Sequence, residues 1–92
     1  MKVMAVWKTV PGRYKAAVEH FLKTGGPAGP GTKTLARWHV PGSTLGWHLM
    51  EVEDMTGLAQ HVAEWADYLE FDIHPVIEDE IAGAAAKKVF GS

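Results

Sequence analysis

The chain has 92 residues, of which 47% are hydrophobic and 22% charged; its net charge is -2 at pH 7, and it has no cysteine. These values favour one folded domain over residues 1–92 and exclude a disordered chain, a disulfide scaffold and thiolate chemistry. Because the basic residues are scattered and no segment is long and apolar enough for a membrane span or a signal-peptide core, we expect no nucleic-acid partner, no membrane contact and a cytoplasmic location.

The first third of the chain predicts a strand, a helix and a loop. Residues 2–9 are apolar on both faces, which is typical of a central strand. Apolar residues recur at helical spacing over residues 14–22, opposite charged residues, which predicts an amphipathic helix. Residues 25–32 are rich in glycine and proline, so we interpret them as a flexible loop over the mouth of a pocket.

The middle of the chain predicts a hairpin followed by a second helix. Residues 33–40 and 45–53 read as strands on either side of the turn Pro41-Gly42-Ser43-Thr44. Asp54 is a good N-cap for the helix that follows, which carries apolar residues on one face over residues 58–69.

The end of the chain completes the pattern of an α+β fold. Residues 71–77 predict a fourth strand, which Pro75 confines to a sheet edge. Residues 78–90 have acids at their start and lysines near their end, as a helix macrodipole favours. The order β-α-β-β-α-β plus a C-terminal helix predicts a ferredoxin-like fold with a four-stranded antiparallel sheet. The first and third strands are central, and both helices cover one face.

The register of the hairpin decides which side chains share a face of the sheet. The register that pairs Arg37 with His48 gathers Trp38 and Trp47 on the opposite face, where all residues are apolar. The alternative register mixes apolar and polar residues on both faces, so we favour the first. We therefore predict that these tryptophans lie under the helices and that the polar residues face the other side.

Polar side chains on that other side form one candidate site. We assign Arg37, His39 and His48 as candidate catalytic residues, because a guanidinium can hold an anionic or carbonyl group and an imidazole can act as an acid or a base. The predicted polar cluster consists of Lys8, Arg37, His39, His48, Asp72 and His74. The alternative is a structural network that forms hydrogen bonds across a dimer or faces water at its rim.

A second candidate site lies between the sheet and the helices, where aromatic side chains can hold a flat molecule. The candidate ligand-binding residues are Trp7, Trp38, Trp47, His61, Trp65 and His74. The alternative is that the tryptophans simply fill a small core and that His61, on a flanking helix face, is solvated.

We predict no metal and no other cofactor. Convergence of His39, His48 and His74 is conceivable, but no His-x-x-x-His or Glu-x-x-His pair supports a metal site. The glycine-rich loop lacks the spacing of a phosphate-binding loop, and its prolines remove amide donors.

Several segments resemble a known family. They are MKVMAVWK at residues 1–8, PG at 11–12, YKAAV at 14–18, ARWHVPGS at 36–43, EWAD at 64–67 and PVIEDE at 75–80. Over nearly the whole chain they resemble the bacterial domain of unknown function 3303. The name of the family brings no reaction with it. The resemblance does imply a dimeric α/β-barrel, in which two ferredoxin-like sheets pack face to face in a homodimer.

Three functions stay open. Relatives at the level of this superfamily include cofactor-independent monooxygenases, haem-degrading enzymes and ligand-sensing domains, so the fold alone selects none of them. We expect a small homodimer that binds a small aromatic or carbonyl-containing metabolite in a pocket lined by tryptophan and histidine. The alternatives are a monooxygenase-like or other small-molecule enzyme that uses Arg37, His39 and His48, and a purely structural or partner-binding dimer.

Overall fold

The computed structural model describes residues 1–91, so Ser92 of the predicted domain lies outside the described residues. The strands are β1 (Lys2–Thr9), β2 (Thr32–His39), β3 (Leu45–Val52) and β4 (Leu69–Pro75), and the helices are α1 (Tyr14–Thr24), α2 (Met55–Trp65) and α3 (Asp79–Phe90). The strands form one antiparallel sheet in the order β2-β3-β1-β4. The predicted ferredoxin-like α+β fold is confirmed, as are the central positions of β1 and β3.

Helices α1 and α2 cover one face of the sheet, which we call the helix face. Along β1, the buried Val3, Ala5 and Trp7 alternate with more exposed residues, so the odd-numbered positions point toward the helices. Met50 and Val52 of β3 join this core. Two short helices leave the other side of the sheet uncovered, and we call that side the open face.

Local signals in the sequence set the ends of the two covering helices. α1 ends at Gly25, which has a φ of 76° and donates its N–H to the carbonyl of Phe21 at 2.8 Å. A left-handed residue of this kind is a common helix stop, and glycine adopts it without strain. α2 begins after Asp54, whose carboxylate accepts the N–H of Thr56 at 2.9 Å. The aspartate cap was predicted, and it is confirmed.

The loop between α1 and β2 packs closely against the first turn of α2. A Cβ atom on Gly57 would lie 1.5 Å from the carbonyl oxygen of Pro30, so no side chain fits there. A glycine weakens a helix in isolation, and this contact is the reason that α2 carries one in its first turn. The loop is also anchored from within, because Gly26 is buried and its carbonyl accepts a hydrogen bond from Arg37.

Helix α3 extends away from the rest of the molecule. All of its residues are exposed, including Ile81, Val89 and Phe90. The molecule accordingly measures 55 × 27 × 17 Å. Neither α3 nor another helix within residues 1–91 is long and apolar enough to cross a membrane.

The contact between Gly57 and the loop predicts a specific loss of stability. Gly57→Ala should lower the free energy of unfolding by about 1–3 kcal/mol, because the new methyl group forces the loop backbone away from α2. Gly83→Ala in α3 is the matched control, since nothing lies within 4 Å of a Cβ at that position. Urea denaturation of the two variants measures the difference. Equal stabilities of Gly57→Ala and the wild type would contradict the close packing of the loop.

Candidate functional site

The β2–β3 hairpin has the register that the sequence predicts, but its two faces are reversed. Arg37 is the Cα partner of His48, and Trp38 is that of Trp47, so the register is confirmed. His48 is also the partner of the fully buried Ala5, which places the Arg37 pair on the helix face. Trp38 is 51% exposed on the open face. The prediction that these tryptophans lie under the helices is therefore wrong.

A cavity of about 250 Å³ lies between the helix face and helices α1 and α2. Its floor comes from all four strands, and its roof comes from the two helices. The lining residues are Trp7, Ala17, Val18, Phe21, Leu22, Gly26, Arg37, His39, Ser43, His48, His61, Trp65, Leu69 and Phe71. Most of them are apolar or aromatic, and none is an aspartate or a glutamate.

The structure brings six of the nine candidate residues together at this cavity. They are Trp7, Arg37, His39, His48, His61 and Trp65. The remaining three candidates, Trp38, Trp47 and His74, lie on the open face, where β-pairing places each of them beside residues of β1 or β3. Lys8 and Asp72 share the open face with them. The predicted polar cluster is thus split between two sides of the sheet and does not form one site.

Arg37 places a positive charge at the cavity wall. Its guanidinium donates hydrogen bonds to the carbonyl of Gly26 and, at 3.2 Å, to Nε2 of His48. Its guanidinium carbon lies 5.5 Å from the centre of the Phe21 ring, in cation–π contact. Burial lowers the pKa of Arg37, yet an arginine stays protonated at physiological pH. Among residues 1–91, it forms no ion pair with a carboxylate.

His48 is a neutral imidazole that is almost completely buried, with 2% of its surface exposed. Its Nε2 lies 2.8 Å from the hydroxyl of Thr34 and accepts from Arg37, which can only donate. The proton of the neutral ring therefore sits on Nδ1. Burial lowers the pKa of His48 to about 3, and the nearby charge of Arg37 acts in the same direction. The ring stays neutral over the physiological range.

His61 is a second buried imidazole in the cavity roof, 6% exposed, so the expectation that it is solvated is wrong. Its Nδ1 donates to the carbonyl of Pro27 at 3.2 Å, which leaves Nε2 as an acceptor. Burial lowers the pKa of His61, and the hydrogen bond to Pro27 opposes this shift. The ring centre lies 5.3 Å from that of His48, in an edge-to-face arrangement.

Trp65 contributes a hydrogen-bond donor that the protein does not satisfy. The residue is 4% exposed, and its indole N–H finds no acceptor within the part of the chain that the structure describes. The ring of His20 packs edge-on against it, with centres 4.7 Å apart. His20 itself donates to Glu64 at 2.9 Å, so that histidine is occupied. A buried donor without an acceptor costs free energy.

Glycine in β3 shapes the floor of the cavity. A Cβ atom on Gly46 would lie 2.1 Å from the Trp7 ring, so the missing side chain lets this ring lie across the neighbouring strand. His39 stands at the rim, with its ring centre 5.2 Å from that of Trp7 and 5.8 Å from that of Phe21. Our sequence analysis missed Gly46 and Phe21 as site residues. A glycine inside a strand is the one signal that points to such a close approach.

The histidines are not arranged to bind a metal ion. Within residues 1–91, no group of three histidine, aspartate or glutamate side chains is placed to hold one. Convergence of His39, His48 and His74 does not occur, because His74 pairs with Met4 on the open face while His48 faces the helices.

Comparison with known proteins identifies a family but no characterised relative. A family model described as "Domain of unknown function (DUF3303)" matches residues 1–90. Comparisons with curated proteins and with solved structures gave no match.

The depressed pKa of His48 predicts a loss of stability in acid. An unfolded histidine titrates near 6.5 and the native one near 3, so protonation favours the unfolded chain as the pH falls through this interval. Because of this protonation, the free energy of unfolding should fall by about 2–3 kcal/mol between pH 7 and pH 4.5. Urea denaturation at the two pH values measures this loss.

One variant isolates the contribution of His48. His48→Gln cannot titrate, so its stability should fall less steeply between pH 7 and pH 4.5 than that of the wild type. Identical slopes for His48→Gln and the wild type would show that His48 is not held neutral by burial.

Proposed function

The chain belongs to the DUF3303 family, whose description names no reaction, and we propose that it binds a small aromatic or carbonyl-containing molecule in the cavity between the helix face and helices α1 and α2. The observation that carries this proposal is a cavity of about 250 Å³ whose mostly apolar and aromatic wall includes a few polar side chains. Ligand sites are typically apolar clefts in which a few polar groups converge. Arg37, His48 and His61 are those groups here.

The aromatic walls suit a flat ligand. Trp7 and Phe71 offer ring surfaces from the sheet, and Phe21 offers one from α1. Stacked and edge-to-face contacts with such rings stabilise a bound aromatic molecule beyond the area that it buries. A carbonyl or similar oxygen on that molecule can accept from Arg37.

Binding fits the chemistry of the cavity better than proton-transfer catalysis does. An efficient general base has a pKa near the working pH. The pKa of His48 is about 3, so its ring is a poor base at neutral pH, and burial lowers the pKa of His61 as well. We therefore place a binding or sensing role ahead of the monooxygenase-like alternative.

A cavity-filling variant tests the binding proposal. Small aromatic aldehydes, ketones, amides and acids at millimolar concentration should shift the backbone amide signals of Phe21, His61 and Phe71 in an NMR titration. Ala17 is buried and lines the cavity, so Ala17→Phe should weaken binding at least tenfold by occupying the space. Ala59→Phe, on the exposed side of α2, is the matched control. The proposal fails if no compound of the panel shifts these signals, or if Ala17→Phe binds as the wild type does.

We also propose that the open face is the interface of a homodimer. Two rows of paired residues cross this face: Trp38, Trp47 and Val6 form one, and Ala36, Leu49 and Met4 form the other. Together they make an apolar strip over three adjacent strands. Contiguous apolar patches of this kind mark interaction surfaces.

The accessible surface of the chain is large enough to include an interface of ordinary size. Its accessible surface is 6230 Å², against roughly 5,200 Å² for an average folded monomer of this mass. The excess of about 1,000 Å² resembles the roughly 800 Å² that each partner buries in a standard interface. The exposed α3 contributes to the excess together with the open face.

The charges around the strip favour a second copy of the chain as the occupant. Three lysines and three acidic residues flank the apolar rows: Lys2, Lys8, Lys33, Glu51, Glu70 and Asp72. A surface with balanced charges of both signs can face itself without net repulsion, whereas a one-signed surface cannot. The dimeric α/β-barrel arrangement would use this face.

A charge placed in the strip tests the dimer. Light scattering of the wild type at about 100 µM should give twice the chain mass of 10.0 kDa. Val6→Lys should give a folded monomer, because a lysine in a buried interface is left without a partner while the same lysine in a monomer faces water. Met55→Lys, at an exposed position of α2, should stay dimeric. A monomeric wild type, or a dimeric Val6→Lys variant, would contradict the proposed interface.

A further inference from the structure

We propose that the cavity selects small aromatic carboxylates over neutral molecules of the same shape. The inference rests on the proposed binding function of the cavity and names the class of its ligand. It depends on the charge of Arg37 and on the absence of acidic side chains from the cavity wall.

Arg37 brings a charge to the cavity without a counter-charge. Its two polar contacts within residues 1–91 are a carbonyl oxygen and the neutral ring of His48, which lies 3.2 Å away. No lining residue is acidic, and Glu64 on the nearby helix is engaged with His20 at 2.9 Å. A charge that is partly withdrawn from water without an opposite charge is unfavourable. A ligand carboxylate would provide that opposite charge and accept a charge-assisted hydrogen bond from a free N–H of the guanidinium.

Two groups at the wall offer hydrogen-bond donors to a ligand. Arg37 only donates, and the neutral ring of His48 carries its proton on Nδ1. Nε2 of His61 is left as an acceptor. An ionised carboxylate accepts through both oxygens, so it can accept from Arg37 and from His48 together.

The size and lining of the cavity favour a ligand with one aromatic ring or two fused rings. The volume of about 250 Å³ equals that of roughly eight water molecules in the liquid. Trp7, Phe21 and Phe71 present aromatic surfaces to this space. An aromatic acid would pack its ring against them and direct its carboxylate toward Arg37.

Matched pairs of acids and amides test the selectivity. The pairs are benzoate and benzamide, 2-naphthoate and 2-naphthamide, and indole-3-carboxylate and indole-3-carboxamide, measured by calorimetry at pH 7. For the ring system that fits best, the acid should bind the wild type at least tenfold more tightly than the amide, which is the effect of one charge-assisted hydrogen bond. The preference should disappear in Arg37→Gln and persist in Arg37→Lys.

A control variant and the remaining outcomes separate this inference from the proposed function. Arg13 lies 5.3 Å from the Tyr68 ring and does not line the cavity, so Arg13→Gln should keep the preference. Amides that bind as tightly as acids would overturn the selectivity while leaving the binding function intact. Failure of all six compounds to bind would overturn both. If Arg37→Gln does not fold, the wild-type comparison and Arg37→Lys decide the question.

Discussion

The contact between Arg37 and His48 organises the functional side of this protein. Pairing of β2 with β3 sets the two residues side by side, and the helices cover them. The arginine keeps its charge, while burial and that charge keep His48 neutral. The same guanidinium binds the carbonyl of Gly26 and so holds the loop over the cavity. The position of the loop, the neutrality of His48 and the charge of the cavity thus depend on one cross-strand pair.

The order of the elements and two helix ends could be predicted because local chemistry determines them. Gly25 stops α1 and Asp54 begins α2. The predicted second helix runs to residue 69 and the predicted fourth strand covers residues 71–77, whereas α2 ends at Trp65 and β4 covers Leu69–Pro75. The register could be predicted because one pairing separates apolar from polar residues and the other mixes them. The face could not. Both sides of this sheet carry apolar residues, so the rule that places the more apolar side under the helices fails when the open face is apolar too.

The site could be predicted in part. Six candidate residues meet at the cavity because tryptophan, arginine and histidine are the residue types that serve both aromatic packing and polar recognition. Burial of His61 could not be predicted from its helix alone, since the carbonyl that accepts its hydrogen bond belongs to Pro27 in a distant loop. The role of Gly46 depends on the ring of Trp7 in the adjacent strand. Such contacts arise from tertiary structure and are only weakly indicated by the sequence.

The central claim is that the cavity holds one positive charge among neutral imidazoles. A long-range proton–nitrogen correlation spectrum of the histidine rings at pH 7.5 tests it most directly, because it distinguishes the two neutral tautomers from the charged ring. The structure predicts that His48 and His61 are both neutral, each with its proton on Nδ1. A charged ring at either position, or a proton on Nε2 of His48, would contradict this account.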